Sequence, residues 1–462
     1  MFNSSVYESR RAVLHKKMRS GVALFVGNVE APYNYPSNTY HFRQDSDFLY
    51  FFGLDLPDFV GVMDFDSGKD YIFANDVDID DIIWMGVQPS VKELALRCGV
   101  RNTAPLSKVS EFIADAMSKG RKIHYLPPYR GDNKIYMADI LKTSIDSLKG
   151  GSSIDLIKAV ISMRSIKEDV EIEEVEFAEK IAYDMHTTAM KMCKVGEHEQ
   201  KIFGTIEGIS YAYGAGVSFP TILSMNGQTL HNHDHSHILE KDRLMVVDAG
   251  AETNMHYASD ITRTTPVGGK FNAMQKDVYE IVLAANEQAI DVTAPGGSNR
   301  DTHILASKVL AAGLKDLGLM KGDVEEAVMA GAHSLFMPHG IGHMLGLDVH
   351  DMEGLGENLV GYNDEVKRSD QFGLAFLRFA LKYEPGHLFT IEPGIYFIPD
   401  LINIWKSEKK FEQYINYSKI DQFMSIGGIR IEDNVLITPT GHKVLSSSIP
   451  KSVKDVEALC AE

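Results

Sequence analysis

The stretch PHGIGHMLGLDVHD, residues 338–351, sets three histidines, His339, His343 and His350, among Gly340, Gly342 and Gly346. His339 and His343 stand four positions apart, the step that binds zinc from one helix face when a glutamate follows the first histidine. Here Gly340 follows it, and each glycine costs a helix about 1 kcal/mol relative to alanine. A mononuclear zinc site built on a helix is therefore excluded. The imidazoles must find their chemical partners elsewhere in the chain.

Acids in strand-like settings supply those partners. LMVVDAGAE (244–252) ends an apolar run at Asp248, and HYASDITRTTPV (256–267) carries Asp260. A hairpin turning between Gly250 and Asn254 brings the two carboxylates together, where each raises the other's pKa unless a cation neutralises them. Glu392 in FTIEPGIYF and Glu432 in GGIRIEDNVLIT are each embedded in an apolar strand, and glutamate is rarely buried without a partner. For any one acid alone, an ion pair to Arg263 or Arg430 is a sufficient account. Four strand acids and a histidine together form a hard, oxygen-rich set that suits Mn²⁺ or Co²⁺ at least as well as Zn²⁺. Bridging carboxylates place two such ions about 3.5–4 Å apart. Arg430 lies two residues before Glu432, so strand alternation puts both on one face, and the arginine is expected to orient that carboxylate in preference to touching substrate.

The chain has 462 residues, more than one core normally covers, so two domains are expected, 1–165 and 166–462. In the first, strand-length apolar runs (GVALFVG, VGVMDFD, DYIFAN, KIHYLP) alternate with helix-like stretches, the pattern of an α/β domain. SLKGGSSIDL reads as the connection. In the second, a helix without Gly or Pro runs from Lys167 to Lys194, closed by Gly196. Further helices are expected at 273–292 and 300–315, mixed with antiparallel strands in an α+β arrangement. The net charge of −18, with no basic cluster, excludes nucleic acid as a partner. Cys98, Cys193 and Cys460 are odd in number and fit a reducing compartment. No segment is read as a membrane span or signal, which leaves the cytoplasm as the expected location.

The motifs VDAGAE, SDITRT, PHGIGHMLGLDVHD, TIEPGIYF and GGIRIEDNVLIT, in this order and spacing, resemble the pita-bread metallopeptidases of the aminopeptidase P and prolidase branch. HFRQDSDFLYFFGLDLPD and DIIWMG extend the resemblance over the N-terminal half. It implies an α/β creatinase-like N-terminal domain followed by an α+β pita-bread catalytic domain. It also implies two divalent ions, Mn²⁺ first with Co²⁺ or Zn²⁺ as alternatives, held by Asp248, Asp260, His343, Glu392 and Glu432, with Asp260 and Glu432 bridging. Glu392 is then the general acid–base, His350 donates to the oxyanion, His231 sits near the scissile amide and His339 lines the substrate pocket, while substrate contact by Arg430 is the lesser alternative to its orienting role. The glycines would leave room for substrate, and His233 and His235 are read as solvated loop residues.

The implied reaction is hydrolysis at a bond preceding proline, a tertiary amide that lacks the N–H most peptidases use. Features of substrate length are divided. RQDSDFLYFFG and KGDVEEAV resemble aminopeptidase P. Arg378, after an insertion at about 352–375, and YFIPDLINIWKSEKKFEQYINYSKI resemble prolidases, where the arginine grips a dipeptide's carboxylate. The balance favours Xaa-Pro aminopeptidase, with Xaa-Pro dipeptidase as the alternative and a non-catalytic binding module as the lesser one. Trp84 either packs in a core or, by the same resemblance, reaches a neighbour's active site in a homodimer or homotetramer.

Overall fold

A computed structural model describes all residues from Met1 to Glu462. The chain divides into two compact units, Met1–Arg164 and Ser165–Glu462.

The first unit is built on a five-stranded mixed sheet of β1 (Val22–Val26), β2 (Val60–Asp64), β3 (Lys69–Phe73), β4 (Asn102–Ala104) and β5 (Ile123–Tyr125), in the order β4-β3-β2-β1-β5. The β1–β2 and β2–β3 pairs are antiparallel, and the outer pairs are parallel. β2 is buried along its whole length, as a central strand covered on both faces must be. Helix α1 (Ser4–Lys17) buries Arg10 and Arg11. Their guanidiniums donate to the carbonyls of Tyr50 and Phe51 at the end of α2 (Ser46–Phe52), where helix carbonyls lack partners.

Two expectations change in this unit. The Gly–Ser cluster in SLKGGSSIDL is not a linker: it closes α4 (Ile145–Gly151), and only Ser152 and Ser153 separate it from α5 (Ile154–Arg164). Ser153 is buried and bonded to His124 Nδ1 at 2.7 Å, while Lys149, Gly150 and Gly151 lie on the surface, so the segment is part of the first unit. Trp84 lies on α3 (Ile79–Met85), a helix that Asp78 caps and that buries no residue. At 86% exposure it is not a core residue, and Ile79, Ile83, Met85 and Val87 are exposed beside it.

The second unit uses one plan twice. Helix α6 (Asp169–Met192) packs against α7 (Glu199–Tyr213), followed by an antiparallel sheet of β6 (Ile222–Ser224), β7 (Leu244–Ala249) and β8 (Ile261–Pro266). Then α8 (Ala273–Asp291) packs against α9 (Asn299–Asp316), followed by β9 (Leu388–Ile391), β10 (Gly394–Tyr396), β11 (Gly428–Arg430), β12 (Asp433–Thr438) and β13 (Gly441–Val444). β9, β12 and β13 form the second three-stranded sheet, while β10 pairs with β11. Each helix pair turns on a glycine with positive φ, Gly196 or Gly296. The capping residues of the second helices, His198 and Ser298, each form an isolated antiparallel bridge. α6 buries Val175, Ala178, Ala182, Met185 and Ala189, the stripe its three- and four-residue spacing predicts.

Candidate active site

The histidine-rich stretch forms no helix. It runs along the free edge of β9: Leu345 donates to the carbonyl of Leu388, Thr390 to that of His343 and Glu392 to that of Ile341, at 2.8–3.0 Å. Gly342 makes this approach possible, because a Cβ there would lie 1.8 Å from the Thr390 carbonyl oxygen. A Cβ on Gly340 would meet Leu377 Cα at 2.6 Å, and one on Gly346 the Asp351 carboxylate at 2.7 Å. The glycines thus let the chain pack on itself rather than clear space for a ligand.

This edge delivers His343 to the acids. β7 and β8 pair antiparallel, with Asp248 opposite Thr262 and Asp260 immediately before β8. The chain between them carries a two-residue strand, Ala251–Glu252, and turns at Thr253–His256, later than the expected Gly250–Asn254. Glu392 and Glu432 are not inside continuous strands. Glu392 follows β9 at the break that Pro393 imposes, and Glu432 lies between β11 and β12 with its N–H donating to the Thr262 carbonyl. The ligand-type atoms of Asp260, His343 and Glu432 all lie within 4.8 Å of one another. His343 Nε2 is 3.3 Å from Asp260 and 3.6 Å from Glu392. All five residues line a cavity of about 640 Å³.

The donor set fits a divalent cation. His343 Nδ1–H donates to the Met344 carbonyl at 3.0 Å, which fixes the tautomer that turns the Nε2 lone pair toward the carboxylates. One Asp248 oxygen accepts from Arg430 at 2.6 Å, while the other is buried without a hydrogen-bond partner. Burial, and then repulsion from Asp248, pushes the Asp260 carboxyl well above the usual range. Burial followed by Asp260 does the same to Glu432. Glu392 rises to about 7, burial outweighing the opposing pull of His343 and Arg430. These acids ionise together only if positive charge enters the cluster.

Arg430 is buried, and each of its three side-chain nitrogens donates one hydrogen bond, to Asp248, to Tyr396 Oη at 2.9 Å and to Thr262 Oγ1 at 2.9 Å. It borders the cavity, and its contacts orient Asp248 directly and Glu432 through Thr262. His339 is equally committed: Nδ1 bonds the Gly340 carbonyl, and Nε2 accepts from Tyr396. It is a wall of the cavity with no free ring nitrogen. His350 Nδ1–H donates to Glu353 at 2.6 Å, and Nε2 accepts from Arg378 Nη1 at 3.1 Å. In this arrangement the ring has no N–H left for an oxyanion, contrary to the role the resemblance gave it. Arg378 borders the cavity and also faces Glu357 at 3.3 Å and Glu353 at 3.7 Å. His231 lies exposed on the cavity wall, as does His233. His235, however, is buried: it stacks on Phe203 with centroids 4.2 Å apart and bonds the Leu223 carbonyl. Trp84 belongs to the first unit and is absent from this lining.

Several supporting residues escape a reading by motif. Thr262 Oγ1 donates to Glu432 at 2.6 Å while accepting from Arg430, and Lys167 forms a buried pair with Asp351 at 2.8 Å. Glu353 and Glu357 sit in the insertion, where their type and spacing resemble any solvated acids.

Comparison with known proteins agrees with this geometry. Residues 173–439 match metallopeptidase family M24, and residues 7–124 match the aminopeptidase P N-terminal domain. A probable Xaa-Pro aminopeptidase of Fusarium vanettenii is 30% identical over 90% of this chain and 87% of its own. The human Xaa-Pro dipeptidase is 30% identical over 99% and 93%. Escherichia coli aminopeptidase P in complex with substrate superposes with a TM-score of 0.81 at 29% identity, covering 100% of this chain and 98% of that one. The paired carboxylates, the edge-strand histidine and the mixed α/β first unit therefore have one common explanation: the chain belongs to metallopeptidase family M24, in its aminopeptidase P and prolidase branch.

Proposed function

We propose that the protein is an Xaa-Pro aminopeptidase, releasing the N-terminal residue that precedes a proline. The observation that carries this reading is the cluster of buried Asp248, Asp260, His343 and Glu432 with half-buried Glu392, opening onto one cavity in a fold shared with aminopeptidase P. These five residues would hold divalent cations, two in number and Mn²⁺ by preference, although a zinc-substituted form of the E. coli enzyme exists. When bound, the cations supply the Lewis acidity that makes water nucleophilic near neutral pH and draws charge from the scissile carbonyl.

The chain's own residues do the rest. Glu392 takes the proton from the attacking water and returns it to the proline nitrogen. Arg430 and Thr262 hold Asp248 and Glu432 in place. His231 faces the scissile amide from the open wall. His350, oriented by Glu353, donates to the developing oxyanion only after Arg378 releases Nε2 and that nitrogen takes up a proton. The reducing, cytoplasmic setting draws support from three cysteines that are all free and buried. No helix is long and apolar enough to cross a membrane.

The dipeptidase alternative rests on Arg378, the one arginine on the cavity wall not spent on the metal-side carboxylates. Both readings meet in one assay, Mn²⁺-loaded protein on Ala-Pro and Ala-Pro-Ala, with and without chelator. Faster release of alanine from the tripeptide, abolished by chelation and restored by Mn²⁺, is the expected result. Preference for Ala-Pro selects the dipeptidase, and full activity in protein verified metal-free rejects the mechanism.

A further inference from the structure

Arg378 is not an open binding group. Its guanidinium lies between two carboxylates, Glu357 Oε1 at 3.3 Å and Glu353 Oε2 at 3.7 Å, with Nη1 on His350. Glu357 is itself held from behind. Arg368 Nη2 bonds its other oxygen at 2.7 Å, and Arg368 is fixed by Asn358, by the carbonyls of Ala375 and Leu377 and by the Tyr362 ring at 4.6 Å. The same frame holds the backbone of Arg378, because Gly361 packs where a Cβ would come within 1.8 Å of the Arg378 carbonyl oxygen. Glu357 is thus a fixed counter-charge, and the only other arginine on the cavity wall, Arg430, is committed to Asp248.

A third carboxylate brought to Arg378 meets two that are already there. A dipeptide presents its terminal carboxylate one residue after the scissile bond, whereas a longer peptide presents a neutral amide at that point and carries its charge farther out. We propose that Glu357, pinned by Arg368 and aided by Glu353, is a positioning residue that weakens the cavity's grip on a free α-carboxylate and so sets the preference for longer Xaa-Pro peptides over dipeptides. The inference rests on the proposed peptidase reading and adds a determinant of substrate length to it.

The test compares Mn²⁺-loaded wild type, Glu357→Gln, Glu357→Asp and the double variant Glu357→Gln/Arg378→Gln on Ala-Pro and Ala-Pro-Ala at low ionic strength. Arg378 and Glu357 are partly exposed, so the interaction is screened. Glu357→Gln should raise the dipeptide-to-tripeptide ratio of kcat/KM by about three- to tenfold, with the change in the KM for Ala-Pro and with less gain at high salt. Glu357→Asp, which keeps the charge, should return most of the wild-type ratio. In the double variant the gain should vanish, since it acts through Arg378. A ratio that stays constant in Glu357→Gln, or that rises equally without Arg378, overturns the inference while tripeptide cleavage by wild type still upholds the peptidase reading. If wild type cleaves neither peptide, both fall.

Discussion

Thr262 shows how much of the site depends on one hydroxyl. It accepts from Arg430 Nε and donates to Glu432, linking the arginine that orients Asp248 to the acid on the facing chain. Thr262→Val keeps the shape and removes the link, leaving a buried Arg430 donor and a Glu432 oxygen unsatisfied. Metal affinity should fall by roughly ten- to a hundredfold, read by titration against a competing chelator. An affinity equal to that of wild type would make the hydroxyl a bystander. The acids and His343 were legible in sequence because their types are costly in apolar runs. Thr262 was not, since a threonine in a strand needs no explanation. His350 was legible as a site residue but its hydrogen bonds were not, because Glu353 and Arg378 reach it from an insertion that carries no periodicity.

At the scale of elements, the loop that carries His350 is tied to the start of α6. Lys167 Nζ and the Asp351 carboxylate are 2.8 Å apart and both side chains are 1% exposed. Lys167→Met leaves a buried carboxylate without this cation, and breaking such a pair costs about 3–5 kcal/mol. Chemical denaturation should show that loss together with reduced metal content, because Asp351 also accepts from Asp348 N–H within the loop. A stable variant with full metal content would show that another partner compensates. Helices were read from spacing almost to their ends, as with α6, α8 and α9. The strand breaks at Glu392 and Glu432 were not: apolar content runs unbroken through both motifs. Pro393 was the available signal for the first, since a residue without an N–H interrupts a ladder. The second arises because the Glu432 N–H crosses to Thr262, a tertiary choice that local sequence does not record.

For the whole molecule, buried histidines set the response to acid. Burial lowers His186, His333 and His387 to about 4 and His303 to about 3, with Lys167 and His333 adding to the effect at His387 and His303 respectively. Above about pH 6.5 these rings are neutral both folded and unfolded, so they contribute no pH dependence. Below it the unfolded chain takes up protons that the native state refuses. Each histidine then removes about 1.4 kcal/mol of stability per pH unit until its folded pKa is reached. The melting temperature should fall steeply between pH 6.5 and pH 4, and His303→Phe should flatten the slope by about one proton. A pH-independent stability over that range would mean the rings find partners on protonation. Assembly into a homodimer or homotetramer is a proposal that the exposed Ile79, Ile83, Trp84 and Met85 of α3 motivate. Trp84→Ala should weaken both self-association in sedimentation and substrate binding, and a fully active wild-type monomer at assay concentration would remove that role.

The doubled plan of the second unit also bears on how the protein comes into being. Asp248 and Asp260 come from the first helix-pair-and-sheet half, whereas His343, Glu392 and Glu432 come from the second. On a growing chain the first half can emerge and collapse with two acids side by side and no histidine to join them. The centre closes only when Glu432 has been added, long after Asp248. The full donor set for the proposed cations therefore exists only late in synthesis, once both halves have been made.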